Sequence, residues 1–294
     1  MTDATGATAV APAATTNGRE IFEAEGIVKR FGGIRAVNGA TMSVREGSIT
    51  ALIGPNGAGK TTFFNLITGF YKPDAGSTVF DGQSIFGKPS YEIARRGMVR
   101  TFQITKALAR MPVIDNMMLA APNQPGERLF NATFRPLATR KREAEVREEA
   151  MELLEVFNLT KLTDSYAGTL SGGQRKLLEL ARALMTKPRF LLLDEPMAGI
   201  NPTLGKRLLD HMQRLRSEDG VTFLFVEHDM EVVMNHSDRV VVMAEGRVIA
   251  EGEPHEVRSN QAVIDAYLGG ASLTPEEIAA DEARENPPHT EETR

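Results

Sequence analysis

Cysteine is absent from this chain of 294 residues. Disulfide bonds, thiolate nucleophiles and cysteine-based metal sites are therefore excluded together, and a reducing compartment is permitted. Long apolar runs are also missing, because stretches such as residues 190–193 and 240–244 fall far short of the roughly 18 residues that a membrane-spanning helix needs. Residues 1–19 have neither a basic start nor a continuous apolar stretch. We therefore expect neither a transmembrane helix nor a secretory signal.

An excess of basic residues is the third feature that the chain lacks. Its formal net charge is −5, and residues 272–294 account for all of it with seven acidic residues against two arginines. The rest of the chain is balanced and contains no dense run of lysine and arginine. Proteins that bind nucleic acid usually carry a basic excess or a basic face. We therefore predict that nucleic acid is not a partner.

The two ends of the chain differ in composition from its middle. Residues 1–19 are rich in alanine and threonine, whereas residues 272–294 are acidic and contain Pro287 and Pro288. Both segments are too polar or too simple in composition to contribute to a core, so we predict disordered tails. The working domain is predicted to cover residues 20–271.

Hydrophobic patterning favours an α/β fold. Residues 49–53 form a short apolar run that ends at Gly54, and Glu245 and Gly246 are predicted to turn a terminal hairpin. Strands separated by helices indicate a mostly parallel sheet. Strands are predicted at residues 20–31, 40–44, 49–53, 190–193, 222–226, 240–244 and 247–250, and helices at about 60–68, 139–157 and 202–216.

A glycine-rich loop follows the strand at residues 49–53. Residues 54–61 match the pattern G-x-x-x-x-G-K-[ST], in which backbone N–H groups curl around phosphate oxygens at a helix N-terminus. We expect Lys60 to reach the β- and γ-phosphates of a nucleotide and the Thr61 hydroxyl to bind Mg²⁺. The nucleotide-binding residues predicted in this segment are Gly54, Pro55, Asn56, Gly57, Ala58, Gly59, Lys60, Thr61 and Thr62.

Two acidic residues follow a second apolar run. Residues 190–193 are all apolar and lead directly into Asp194 and Glu195, as happens when a buried strand delivers carboxylates to the edge of a sheet. We expect Asp194 to bind Mg²⁺ and Glu195 to polarise the attacking water, because phosphoryl transfer needs a positioned nucleophile and an electrostatic clamp.

The order of these motifs resembles that of the ATP-binding cassette family. The phosphate-binding loop, Gln103, the pentapeptide Leu-Ser-Gly-Gly-Gln at residues 170–174, Asp194-Glu195 and His228 occur in the family's sequence order. The resemblance covers nearly all of residues 20–271. It implies an ATPase that uses ATP and Mg²⁺. It also implies an α/β P-loop core with a mostly parallel sheet, an N-terminal antiparallel β subdomain and an inserted helical subdomain at about residues 104–185.

The resemblance also assigns roles to single residues. Gln103 is expected to contact the metal and the attacking water, and His228 to contact the γ-phosphate. Phe31 is expected to stack on adenine, with a place in the core as the alternative. Asn201 stands where many cassettes have aspartate, which leaves the dimer contacts there open. The pentapeptide is expected to close on the γ-phosphate held by another cassette through Ser171, Gly172, Gly173 and Gln174.

Further segments resemble the ATPase subunits of branched-chain amino acid importers, namely residues 31–33, 99–103, 124–142 and 198–202. This resemblance implies a second ATPase subunit, separate permease subunits, an indirectly associated solute-binding protein and a place on the cytoplasmic face of the cell membrane. The permeases are expected to dock near residues 103–118. Apolar side chains of this segment line that groove or pack in the core, namely Met111, Val113, Ile114, Met117 and Met118.

Other functions share parts of this pattern. ATPases of urea and amide importers and of lipopolysaccharide export are alternatives within the family. A soluble cassette that acts on nucleic acid or ribosomes is a less favoured alternative, because such proteins usually carry two cassettes in one chain. A small-molecule kinase with the same glycine loop is a third alternative, but such an enzyme does not need the pentapeptide at residues 170–174.

Overall fold

The computed structural model describes residues 18–101, 106–122 and 136–269. In this part of the chain, three strands come first, and helices separate most of the later strands, with four helices between the sixth and seventh strands. The strands are β1 (Glu20–Phe31), β2 (Ile34–Arg45), β3 (Ile49–Ile53), β4 (Ala75–Phe80), β5 (Gln83–Ser84), β6 (Met98–Arg100), β7 (Phe190–Asp194), β8 (Thr222–Val226), β9 (Arg239–Ala244) and β10 (Arg247–Gly252). The helices are α1 (Lys60–Ile67), α2 (Ser90–Arg95), α3 (Lys106–Ala109), α4 (Val113–Ala120), α5 (Pro136–Val156), α6 (Gly172–Met185), α7 (Pro202–Asp219), α8 (Met230–His236), α9 (Pro254–Arg258) and α10 (Gln261–Gly269).

The strands form two sheets. The larger sheet has six strands in the order β10-β9-β3-β8-β7-β6, and all neighbours are parallel except the antiparallel pair β9 and β10. The smaller sheet has four antiparallel strands in the order β2-β1-β4-β5. The predicted α/β fold class, with its mostly parallel sheet and antiparallel N-terminal sheet, is confirmed.

The burial of each strand explains its sequence pattern. All five residues of β3 and of β8 are buried, as expected for central strands of a parallel sheet that is covered on both faces. The hairpin between β9 and β10 turns through Glu245 (φ 50°) and Gly246 (φ 76°). Two successive positive φ angles are typical of the type I′ turn, whose twist matches that of paired strands. The predicted hairpin is therefore confirmed.

Aromatic side chains join the two sheets. The ring of Phe190 on β7 lies 5.7 Å from that of Phe22 on β1 and 6.1 Å from that of Phe80 on β4, measured between centroids. All three side chains are fully buried. The antiparallel sheet is therefore packed on one face of the parallel sheet, next to the strand that ends in Asp194.

The helices α4, α5 and α6 contribute to a second core on the other side of the parallel sheet. The predicted amphipathic helix is confirmed as α5, with Val146, Ala150 and Leu154 buried. Val113, Ile114 and Met117 of α4 are at most 3% exposed. These three side chains belong to the core rather than to an open groove.

The predicted domain limits stay predictions. Helices α3 to α6 fall within the predicted helical subdomain at residues 104–185. Most of the two predicted tails, and Gln103, lie outside the described residues. Among the helices that the structure describes, none combines the length and apolar character that crossing a bilayer requires.

A buried histidine connects α7 to the end of α5. The ring of His211 meets that of Phe157 edge-on, with 4.9 Å between the centroids, and the residue is 9% exposed. Burial lowers the pKa of His211 below its ordinary value of 6.5; Arg214 adds to this shift and Asp210 opposes it. The fold therefore accommodates the neutral imidazole.

We predict that His211 makes the stability of the protein fall on acidification. The unfolded chain binds a proton at His211 at higher pH than the folded chain does, so the free energy of unfolding should rise with pH between the lowered folded pKa and 6.5. Thermal unfolding of the wild type and of His211→Gln, measured across this range, provides the test. The variant should show the shallower pH dependence, and equal slopes would contradict the prediction.

Candidate functional site

Three neighbouring parallel strands deliver the predicted site residues to one edge of the sheet. β3 ends at Ile53 and continues into the glycine loop, β8 ends two residues before His228, and β7 ends at Asp194. Ligands of open α/β sheets bind at the carboxyl ends of the strands. The strand–loop–helix order predicted for the glycine loop is confirmed, because α1 begins at Lys60.

The glycines of the loop permit a close approach to neighbouring strands. A Cβ atom at Gly54 (φ 147°) would lie 2.0 Å from the carbonyl oxygen of Met243, and one at Gly59 (φ 96°) would lie 2.4 Å from that of Ala36. Both distances are far below a van der Waals contact. The loop is thus held against β9 and β2 at positions that only glycine fits.

The side chain of Lys60 folds back over this loop. Its Nζ donates hydrogen bonds to the carbonyl oxygens of Gly54 (2.6 Å) and Pro55 (3.0 Å). Burial lowers the pKa of Lys60, and the carboxylates of Glu195 and Asp194 act in the opposite direction. A buried ammonium group near the loop amides is suited to bind an anion such as phosphate.

Two cavities meet at Thr61 and Glu195, which line both. One has a volume of about 440 Å³ and is lined by Ile34, Arg35, Ala36, Asn56, Gly57, Ala58, Gly59, Lys60, Thr61, Thr62, Glu195, His228, Glu245 and Gly246. The other has a volume of about 460 Å³ and is lined by Thr61, Arg100, Thr101, Lys176, Glu179, Asp194, Glu195 and Ala198.

Glu195 has a constrained backbone and a partnered side chain. Its φ angle of 47° lies in the left-handed region, which is unusual for a residue other than glycine. Its N–H donates to Val226 O (3.0 Å), and its carbonyl oxygen accepts a hydrogen bond from Lys176 Nζ (3.3 Å). Its Oε1 lies 2.8 Å from His228 Nε2. Strain of this kind persists where surrounding contacts impose it, often at functional sites.

The residues at the second cavity fit a magnesium ion. Asp194 and Thr61 offer carboxylate and hydroxyl oxygens at the same cavity. Mg²⁺ prefers hard oxygen ligands and is usually bound by one or two carboxylates together with substrate phosphates. One oxygen of Asp194, Oδ2, accepts a hydrogen bond of 2.6 Å from Arg100. Asp194 Oδ1, the other oxygen, is the one that would bind a metal.

The pentapeptide of residues 170–174 begins a helix, as predicted. Ser171 is the N-cap of α6: its hydroxyl accepts from Gln174 N (3.3 Å), and Gln174 Oε1 accepts from Ser171 N (2.9 Å). This reciprocal pair is a capping box. The described linings of the two cavities do not include Ser171, Gly172, Gly173 or Gln174.

Phe31 and Asn201 do not line the two cavities. Phe31 is 43% exposed, and its ring meets that of Tyr71 edge-on at 5.4 Å between centroids. The core alternative is therefore wrong, whereas stacking on adenine stays a prediction. Asn201 is the N-cap of α7, where its Oδ1 accepts from Leu204 N (2.9 Å). Asparagine at this position thus serves the local structure.

Sequence reasoning missed several residues of the site. Arg35, Arg100, Lys176 and Glu245 line the cavities, but none of them was predicted as a site residue. Glu227, which the sequence placed at the end of a strand, is buried, and this burial raises its pKa. Its carboxylate accepts hydrogen bonds from Met197 N (2.7 Å) and His228 N (3.2 Å). The signal that was available for Glu227 is its position directly before His228.

Profiles of known families match two parts of the chain. Residues 37–198 match the family described as ABC transporter, and residues 247–272 match the family described as branched-chain amino acid ATP-binding cassette transporter.

Individual proteins and structures are similar over most of the chain. The high-affinity branched-chain amino acid transport ATP-binding protein BraF of Pseudomonas aeruginosa is 46% identical over 253 residues, which cover 86% of this chain and 99% of BraF. LivG of Salmonella typhimurium, with the same functional description, is 42% identical over 251 residues, which cover 85% of this chain and 98% of LivG. The crystal structure of a nucleotide-free ATP-binding cassette from an ABC transporter superposes with a TM-score of 0.74 at 41% identity, covering 85% of this chain and 99% of the other.

We predict that Gly59→Ala destabilises the protein more than Gly57→Ala does. Both residues have positive φ angles, but a Cβ at Gly57 meets nothing within 4 Å, whereas one at Gly59 meets the Ala36 carbonyl oxygen. Gly57→Ala should cost about 1 kcal/mol of stability through backbone strain. Gly59→Ala should cost more and also weaken ATP binding.

Thermal unfolding without nucleotide and equilibrium ATP binding measure these two effects. Equal destabilisation by the two substitutions would show that the close approach of the loop to β2 does not affect the stability of the protein.

Proposed function

The chain belongs to the ABC transporter family of ATP-hydrolysing subunits, and from this premise we propose that it powers the import of branched-chain amino acids. The observation that carries the proposal is the convergence of Lys60, Asp194, Glu195 and His228 on two adjoining cavities at one sheet edge. The match of residues 247–272 to the branched-chain family favours this cargo over urea, amides or lipopolysaccharide.

We propose that ATP binds along the glycine loop, with its phosphates against the loop amides and Lys60. Thr61 and Asp194 would hold Mg²⁺, and the chemistry that this ion supplies when bound is neutralisation of phosphate charge. Glu195 then orients and polarises the attacking water. His228, at 2.8 Å from Glu195, holds this carboxylate in place and presents its ring to the γ-phosphate. Gln103 stays a predicted contact of metal and water.

The position of the pentapeptide supports a second ATPase subunit as a partner. Ser171 to Gln174 begin α6 with backbone N–H groups that suit a phosphate, yet they do not line the described cavities of their own chain. We propose that they close on the nucleotide held by another cassette, either a second copy or a related chain. Each ATP is then enclosed by two subunits.

The same proposal places the protein on the cytoplasmic face of the membrane, docked on separate permease subunits that receive cargo from a solute-binding protein. On α4, Leu119 is 57% exposed and Asp115 lies exposed one turn earlier, whereas Met117 is fully buried. We propose that this outward face of α4 contacts the permease.

Glu195→Gln is expected to bind MgATP but to lose hydrolysis. Glutamine keeps the size of the side chain and a hydrogen-bonding oxygen for His228, but it does not polarise water as a carboxylate does. We expect phosphate release to fall at least about 100-fold and an ATP-bound dimer to accumulate. Phosphate release and light scattering with MgATP measure the two effects. Near-normal turnover would overturn the role of Glu195.

Lys60→Ala provides the contrasting defect for the same assays. Loss of the charged donor should weaken ATP binding itself by about 10- to 100-fold. Unchanged ATP affinity in this variant would contradict phosphate binding by Lys60.

Leu119→Asp is expected to uncouple transport while sparing the basal ATPase activity. The substitution puts charge on an exposed apolar position that does not line either cavity, so the folded structure and ATP binding should be unaffected. Proteoliposomes with the permeases and a radiolabelled branched-chain amino acid measure uptake.

Val156→Asp is the matched control, because Val156 is an exposed apolar residue (44%) at the end of α5. This control should transport normally. Equal loss of uptake in both variants, or normal uptake with Leu119→Asp, would exclude the outward face of α4 as the permease contact.

A further inference from the structure

Arg100 is the last residue of β6, and its guanidinium contacts two hydrogen-bond acceptors and two aromatic rings. Its side chain is 10% exposed. Its guanidinium donates one hydrogen bond of 2.6 Å to Asp194 Oδ2 and a second of 2.6 Å to Asn65 Oδ1. The guanidinium carbon also lies 5.7 Å from the ring centroid of Phe64 and 6.0 Å from that of Phe70. Such a group has a fixed position and a fixed orientation.

The two hydrogen bonds of Arg100 connect the two elements that carry the proposed metal ligands. Asp194 ends β7, whereas Asn65 lies on α1 one helical turn after Thr61. Residues four apart share one face of a helix, so a contact at Asn65 also fixes the face that carries Thr61. The single guanidinium group of Arg100 therefore sets the distance between α1 and the Asp194 carboxylate.

The contact also gives the two oxygens of the Asp194 carboxylate different roles. An ionised aspartate has two oxygens that accept independently. Because Oδ2 is held by Arg100, the carboxylate has a defined rotation, and Oδ1 is left for a metal. When a residue that hydrogen-bonds to a metal ligand is mutated, metal affinity or activity typically falls 10- to 100-fold.

We propose that Arg100 is a positioning residue of the Mg²⁺ site, which sets Asp194 Oδ1 and the Thr61 hydroxyl at the separation that the ion requires. The inference rests on the proposed roles of Thr61 and Asp194 in the function above. Arginine is suited to this task because its planar fork serves two acceptors at once, which the single ammonium group of lysine does not do in the same geometry.

The test compares ATP dissociation constants measured without turnover, in excess EDTA and in Mg²⁺, for the wild type and five variants. Arg100→Gln should bind ATP in EDTA as the wild type does, but it should lose about tenfold or more of the gain in affinity that Mg²⁺ confers. Arg100→Lys should recover less than half of that loss. Asn65→Ala removes only the α1 arm of the fork and should show a smaller loss in the same direction.

Arg95→Gln is the matched control, because Arg95 is an exposed arginine on neighbouring α2 that stacks on Tyr91. It should behave as the wild type. Thermal unfolding without nucleotide shows whether each variant is folded, and Asn65→Ala replaces Arg100→Gln if the latter is not.

Three results would overturn the role of Arg100: unchanged or tighter Mg²⁺-dependent binding in Arg100→Gln, wild-type behaviour of Arg100→Lys, or equal weakening in EDTA and Mg²⁺. Asp194→Asn separates this failure from that of the proposed metal site. If Asp194→Asn keeps the full Mg²⁺ effect, the metal site itself is wrong. If it loses the effect while Arg100→Gln keeps it, only the positioning role fails.

Discussion

The close approach of the glycine loop to β2 and β9 is the constraint on which the rest of the site depends. Backbone carbonyls of Ala36 and Met243 occupy the space that side chains at Gly59 and Gly54 would need. The loop therefore has little freedom, and α1 begins at Lys60 in a set direction. The burial of β3 on both faces anchors the loop at its other end. Backbone N–H groups are thereby preorganised for an anion before the anion arrives.

Partners within the chain hold the charged side chains of the site. Lys60 donates to loop carbonyls, Asp194 accepts from Arg100, and Glu195 lies beside His228. These contacts keep the ionisable groups hydrogen-bonded, which matters most for the buried Lys60 and Arg100, because burial makes an unpaired charge costly. Glu195 is additionally held in a left-handed backbone conformation by hydrogen bonds at its own N–H and C=O groups. The protein itself therefore holds these side chains in defined positions.

Features that depend on residues close in sequence were predictable, whereas contacts between distant parts of the chain were not. The strand at 49–53, the glycine loop and the helix start at Ser171 were predictable because each is defined by residues close in sequence. Arg100 was missed because its partner Asp194 lies 94 residues away. The role of the apolar side chains at residues 111–118 was ambiguous for the same reason, because an apolar helix face has the same sequence pattern whether it packs in the core, as Met117 does, or contacts a partner.

The sequence by itself determined the nucleotide chemistry and the α/β fold, because glycine spacing and apolar periodicity act over a few residues. It also showed that one chain carries both the glycine loop and the pentapeptide at 170–174. Only the tertiary structure decided that the pentapeptide stays outside the cavities of its own chain, that Phe31 is exposed and that a guanidinium fork joins α1 to Asp194. Those outcomes depend on which strands become neighbours, and strand order follows from packing the whole chain.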